Sequence, residues 1–185
     1  MDNEQSTNYS EYSYEKAVTG KDKMKRALYF IGIVLVMLLP VLIAMLFKVY
    51  FIMYVMPLVL ILGVPLAKYF YKYFQVEYKN TVDRSTFKME LIHGKSKPRL
   101  LYEADVKDME FAVPLTAENL SKYKDVQRDV TARCLVTDDS PDAYITLFKD
   151  KNGKKVFLYF EGSKKALKIM NYYNKNVVVS PDLSH

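Results

Sequence analysis

Few residues in this 185-residue chain have the types and spacing that chemistry needs. One cysteine and two histidines cannot make a zinc site of the usual Cys/His kind. Cys134 sits in the strand-like stretch TARCLVT and reads as a buried structural thiol, not a nucleophile. His93 precedes Gly94 at a strand end, has no Cys or Ser partner beside it, and reads as a solvated turn histidine. Asp138, Asp139 and Asp142 in TDDSPD resemble a fragment of a calcium loop, but the spacing departs from one and the closing Glu is missing. The glycines are scattered singly, so neither a GxGxxG turn nor a P-loop is present. This inventory argues against an enzyme and implies no metal, no cofactor and no small-molecule substrate.

Two basic clusters remain. Lys95, Lys97 and Arg99 fall in the turn HGKSKPR, and Lys151, Lys154 and Lys155 in the turn DKNGKK. Near a membrane surface each such cation contributes on the order of 1 kcal/mol toward anionic lipid. They are candidate contacts for anionic lipid or a partner. The net charge is +6, but charges of both signs are interspersed through the polar part of the chain, which argues against nucleic acid.

Whatever these residues do, the elements that position them begin at a membrane. Residues 27–47 and 49–67 carry no charge, and only Lys48 separates them. As one helix the stretch would run about 60 Å, twice the ~30 Å hydrocarbon core. The reading that fits is a hairpin of two spans, with its turn between Phe47 and Pro57 and with Lys48, Tyr50 and Tyr54 at the interface. Pro40 and Pro65 are expected to kink the spans. The apolar core is too long for a signal peptide. The flanks KDKMKR and KYFYKYF are basic and the tip is nearly neutral, so both termini are expected in the cytosol, with the chain multi-pass in the cell membrane. Neither span holds Asp, Glu, His or Arg, which favours an anchor over a channel.

The expected organisation is a disordered cytosolic tail (1–24), a transmembrane helical hairpin (25–74), a cytosolic domain (75–175) and a flexible tail (176–185). From Gln75 onward, period-two alternation marks strands in QVEYKNTV, TFKMELIHG and DMEFAV, and RLLYE, TARCLVT, AYITLFK and KKVFLYF read as further strands. Thr116 can cap a short helix in a polar insertion at 116–128. Asn152-Gly153 marks a hairpin turn. Ser163 is a good N-cap for a last helix whose apolar stripe is Ala166, Leu167, Met170 and Tyr173.

Seven antiparallel strands followed by one amphipathic helix resemble the pleckstrin-homology-like barrel, with the helix plugging one end. VEYKN, FKMELIHG, KSKPR, LLYE and DVKDMEFAV are similar to the opening strands of bacterial PH-like domains, which often follow membrane spans. The whole layout, an α+β membrane protein, resembles a family of uncharacterised two-span membrane proteins of Gram-positive bacteria over about residues 25–175. The resemblance implies fold and location and supplies no catalytic residues. The function expected is a membrane-anchored, non-enzymatic interaction module that meets the lipid bilayer and a protein partner or a second copy. The alternative is an anionic-lipid sensor using the basic loops.

Overall fold

The structure, a computed structural model, describes residues 8–48, 54, 56–181 and 183. It divides into two compact units. One comprises Val18–Gln75 with His93–Lys95, and the other Met1–Ala17, Val76–Ile92 and Ser96–His185.

The second unit is built of strands. β1 (Tyr9–Glu15), β2 (Val76–Asp83), β3 (Thr86–His93) and β4 (Arg99–Asp105) lie side by side in that order. β5 (Phe111–Pro114), β6 (Val130–Cys134), β7 (Ala143–Lys149) and β8 (Lys155–Glu161) form another sheet in the order β5-β7-β8-β6. The expected single barrel of seven antiparallel strands is therefore two four-stranded sheets. β6 runs parallel to β8, pairing Val130 with Val156 through Cys134 with Phe160. Alternation along a strand reports which face is buried, not which neighbour it takes or in what direction, so this pairing was not visible beforehand.

The extra strand corrects the expectation of a disordered N-terminal tail. β1 pairs antiparallel with β2, from Tyr9 opposite Asp83 to Glu15 opposite Glu77. The ladder continues past the strand ends, because Lys16 N donates to the Val76 carbonyl at 2.9 Å. Residues 18–75 thus form the connection of a β-hairpin. The C-terminal tail is corrected in the same way over its described residues. Val177 is fully buried and bridges Ala112, whose carbonyl accepts from Val178 N at 2.8 Å.

Central strands buried on both faces read as unbroken apolar runs, and β7 and β8 do. Tyr144 and Phe148 of β7 and Val156, Leu158 and Phe160 of β8 enter the main core with Val82, Phe87 and Met89. Ile145, Leu147, Phe157 and Tyr159 face the other way into a second cluster. The insertion at 116–128 covers that cluster. α3 (Ala117–Lys122), capped by Thr116, leads to Tyr123, whose ring stacks on Phe111 with centroids 3.8 Å apart. α4 (Lys164–Tyr173), capped by Ser163, buries Ala166, Leu167, Ile169 and Met170 in the main core and packs against β1 and β2.

The first unit is helical. α1 (Gly20–Phe47) starts earlier than the apolar run, because Thr19 and Asp22 form a capping box. The basic flank is therefore its first turns. α1 has 28 residues and is long and apolar enough to cross a membrane. α2 (Met56–Tyr71) runs back along it: Tyr29 Oη donates to the Ala67 carbonyl at 3.0 Å, and Arg26 Nη2 to that of Phe74 at 2.7 Å. Pro40 and Pro65 lie inside these helices. Lys48 caps α1 in the left-handed region (φ 54°), while most of the expected turn between Phe47 and Pro57, Tyr50 included, lies outside the described residues.

Candidate functional site

The basic, aromatic end of the helical unit is where side chains converge. Lys21, Lys23, Lys25 and Arg26 occupy the first turns of α1, and Lys68 the last turn of α2. Beyond α2, the Lys72 ammonium lies 3.9 Å from the centroid of the Tyr69 ring and 5.2 Å from that of Tyr73. The Arg26 guanidinium is 6.0 Å from the Tyr71 ring centroid. Cations held over aromatic rings at the end of an apolar helix suit the headgroup layer, where amphipathic side chains settle.

One of the sequence-derived site residues joins this end. The segment His93–Lys95 belongs to the helical unit. Gly94 N donates to the Gln75 carbonyl at 2.9 Å, and the His93 and Tyr73 rings lie 5.4 Å apart. Gly94 has φ 54°, and a Cβ there would sit 3.2 Å from that of Lys72, so both conformation and space call for glycine. Lys95 is thereby carried on the same unit as Lys68 and Lys72. His93 is half-buried against Tyr73, not the solvated turn residue expected.

The other candidates behave differently. Lys97 and Arg99 belong to the β unit, are exposed, and make no ion pair among the described residues. Lys151 Nζ lies 2.8 Å from Glu103 Oε2 and Lys155 Nζ 2.9 Å from Glu110 Oε1. Lys154 N donates to Asp150 Oδ1 within the turn. Two of the three cations in the second cluster are therefore already engaged by carboxylates, whereas among the described residues Lys95, Lys97 and Arg99 make no ion pair.

Residues 10–180 match the family described as Bacterial PH-like domain (DUF6106). The chain belongs to that family. No curated protein and no solved structure matches it. The match opens inside β1 and runs past α4, so it takes in residues 10–24 and 176–180 of the two segments expected to be tails, and the helical hairpin falls within the matched span.

Inside the PH-like domain, a polar knot missed in the sequence ties the sheets together. Tyr14 Oη donates to the Cys134 carbonyl at 2.7 Å and accepts from Glu161 N at 3.2 Å. The Glu161 carboxylate, 1% exposed, accepts from Val136 N at 2.8 Å and from Ser140 Oγ at 2.6 Å. Asn80 Nδ2 donates to the Glu161 carbonyl at 2.6 Å. Every partner lies within the fold, which marks a structural role. Burial pushes the Cys134 thiol up to about 12, which leaves it protonated and inert at neutral pH. Among the described residues no group of three or more His, Cys, Asp or Glu could hold a metal ion.

Proposed function

We propose that the chain is a membrane-anchored, non-enzymatic interaction module of a Gram-positive cell membrane. A two-span hairpin holds the PH-like domain at the cytosolic face, where it meets a protein partner or a second copy. The PH-like fold itself supports an interaction module. The anchor is supported by α1, which is long and apolar enough to cross a membrane, and its two-span form by the pairing of β1 with β2 on either side of the hairpin. At about 1.5 Å per residue α1 is ~42 Å long, enough for a ~30 Å hydrocarbon core. A chain crossing only there would leave β1 and β2 on opposite faces of the bilayer and break their seven-residue ladder. A return crossing through α2 keeps both strands on one side, so the ladder favours two crossings over one. The basic residues at that end favour the cytosolic side for both termini.

The non-enzymatic reading rests on residues: the one thiol is buried and protonated, and the buried carboxylate of Glu161 is consumed by hydrogen bonds. Single cysteines placed after Asn8 and before Leu183, in a Cys134→Ala background, test the topology in intact cells. Both are expected to resist an impermeant maleimide until the membrane is opened. Labelling of one terminus from outside would sink the two-span reading.

A second reading, sensing of anionic lipid through the basic loops, is favoured by Lys95, which sits on the hairpin's own unit. Lys151 and Lys155 favour it less, being paired. Replacing Lys95, Lys97 and Arg99 with Glu in the full chain is expected to slow its diffusion-limited capture of acidic vesicles from detergent, and no change would remove this reading.

A further inference from the structure

We propose that the hairpin carries a site for one anionic phospholipid, with the phosphate at Arg26 and an acyl chain lying in the groove between α1 and α2. The inference rests on the membrane-anchor reading above. The groove has a volume of about 380 Å³ and an almost wholly apolar lining that includes Gly32, Val36, Met37, Val59, Gly63 and Phe70. From Tyr29 to Met37 it follows α1 for about 12 Å, the length of an upper acyl segment.

The two glycines behave differently. At Gly63 a Cβ would lie 2.8 Å from Met37 Cε, so the end of that flexible side chain would have to shift. At Gly32 an added Cβ meets nothing within 4 Å. Glycine is a poor helix former, and at position 32 no contact among the described residues accounts for it. What it provides is open space on the groove.

The polar end of the groove identifies the occupant. Tyr29 and Phe70 lie about one turn from Arg26 and Phe74, which are hydrogen-bonded to each other. Arg26 Nη2 is satisfied there, but Arg26 Nε is buried with no hydrogen-bond partner among the described residues. A buried guanidinium N–H without an acceptor is costly, and a phosphate oxygen is the acceptor that a guanidinium fork matches best. An apolar groove that ends one turn from a cation with an unpaired N–H fits a lipid that has both a tail and a negative phosphate. A zwitterionic lipid offers the same tail with no net charge.

The test uses the full chain in detergent, titrated with phosphatidylglycerol or phosphatidylcholine and read by native mass spectrometry. Alkaline carbonate extraction of membranes comes first, and a chain released by carbonate would overturn the anchor itself. For a chain retained in membranes, the expected result is one saturable lipid per chain, with phosphatidylglycerol held about tenfold more tightly. Arg26→Gln should abolish that preference while Arg26→Lys keeps most of it. Gly32→Leu fills the groove from its open side and should remove the one-to-one adduct of either lipid with helix content unchanged. Equal retention of the two lipids, or a preference that survives Arg26→Gln, overturns the site and leaves the anchor standing. A wild-type dimer that Gly32→Leu converts to monomer, with lipid retention unchanged, would assign the groove to a second copy and also overturn it.

Discussion

The two units hold similar side chains under opposite conditions. In the helical unit Leu35 and Val36 are 58% and 68% exposed, whereas in the β unit Leu167 and Phe160 are 0% and 1% exposed. An apolar side chain gains by leaving water whether the medium it enters is protein or lipid. The β unit supplies its own apolar medium through two sheets and a helix. The helical unit presents its apolar surface outward, which is stable only where something other than water covers it. Average composition, with mean hydropathy −0.09, conceals the division entirely.

The largest effect should come from cutting the link between the units in the right and the wrong place. A chain lacking residues 1–17 loses β1 and is expected to show no cooperative melting of the β unit. Replacing residues 18–75 with an Asn-Gly turn keeps β1 against β2 and should give a water-soluble domain with a cooperative transition by circular dichroism. Folding of the first and failure of the second would break the division proposed here.

The same substitution in the two units sharpens it. Leu167→Ala removes a fully buried side chain and should destabilise the β unit by about 2–5 kcal/mol. Leu35→Ala, on the outward surface of α1, should move the β-unit melt by less than about 0.5 kcal/mol. Comparable losses would mean that the units melt as one.

A smaller effect is expected at the polar knot. Tyr14→Phe keeps the ring but leaves the Cys134 carbonyl and Glu161 N–H without their partner, at a cost of about 1–3 kcal/mol in thermal or urea unfolding. Smallest is a pH effect. Burial raises Cys134 from 9.0 to about 12 and Tyr78 from 10.0 to about 12. The folded state therefore holds protons that the unfolded chain releases, so stability is complete below about pH 9 and declines as pH climbs toward 12. The Cys134 share is about 1 kcal/mol by pH 10, and Cys134→Ala should flatten that part of the profile.

What could be read in the sequence followed from how locally each feature is encoded. The caps Thr116 and Ser163, the turn at Asn152-Gly153 and the strands β7 and β8 depend on neighbours a few residues away, and all stand where expected. β1 did not stand out because NYSEYSYE lacks aliphatic residues. Its signal was the alternation of Ser10, Tyr12 and Tyr14 with Glu11, Ser13 and Glu15, carried by tyrosines that suit strands. Its partner strand lies beyond two helices, a distance no local pattern spans. The site was legible only as charge. Arg26 was visible as part of a basic flank, but its buried, unpartnered Nε requires the helix pairing to be known.

The placement of the hairpin within a β-hairpin also orders events on the ribosome. β1 emerges early, yet its partner strand follows only after some sixty further residues. At about 5–20 residues per second that is a wait of several seconds, during which two apolar helices leave the tunnel. On the two-span reading proposed above, the first strand stays unpaired while they are delivered to the bilayer. Completion of the domain would then record that insertion succeeded, because on that reading a chain whose second helix fails to return strands its first and second β-segments on opposite sides and offers proteases an unfinished sheet.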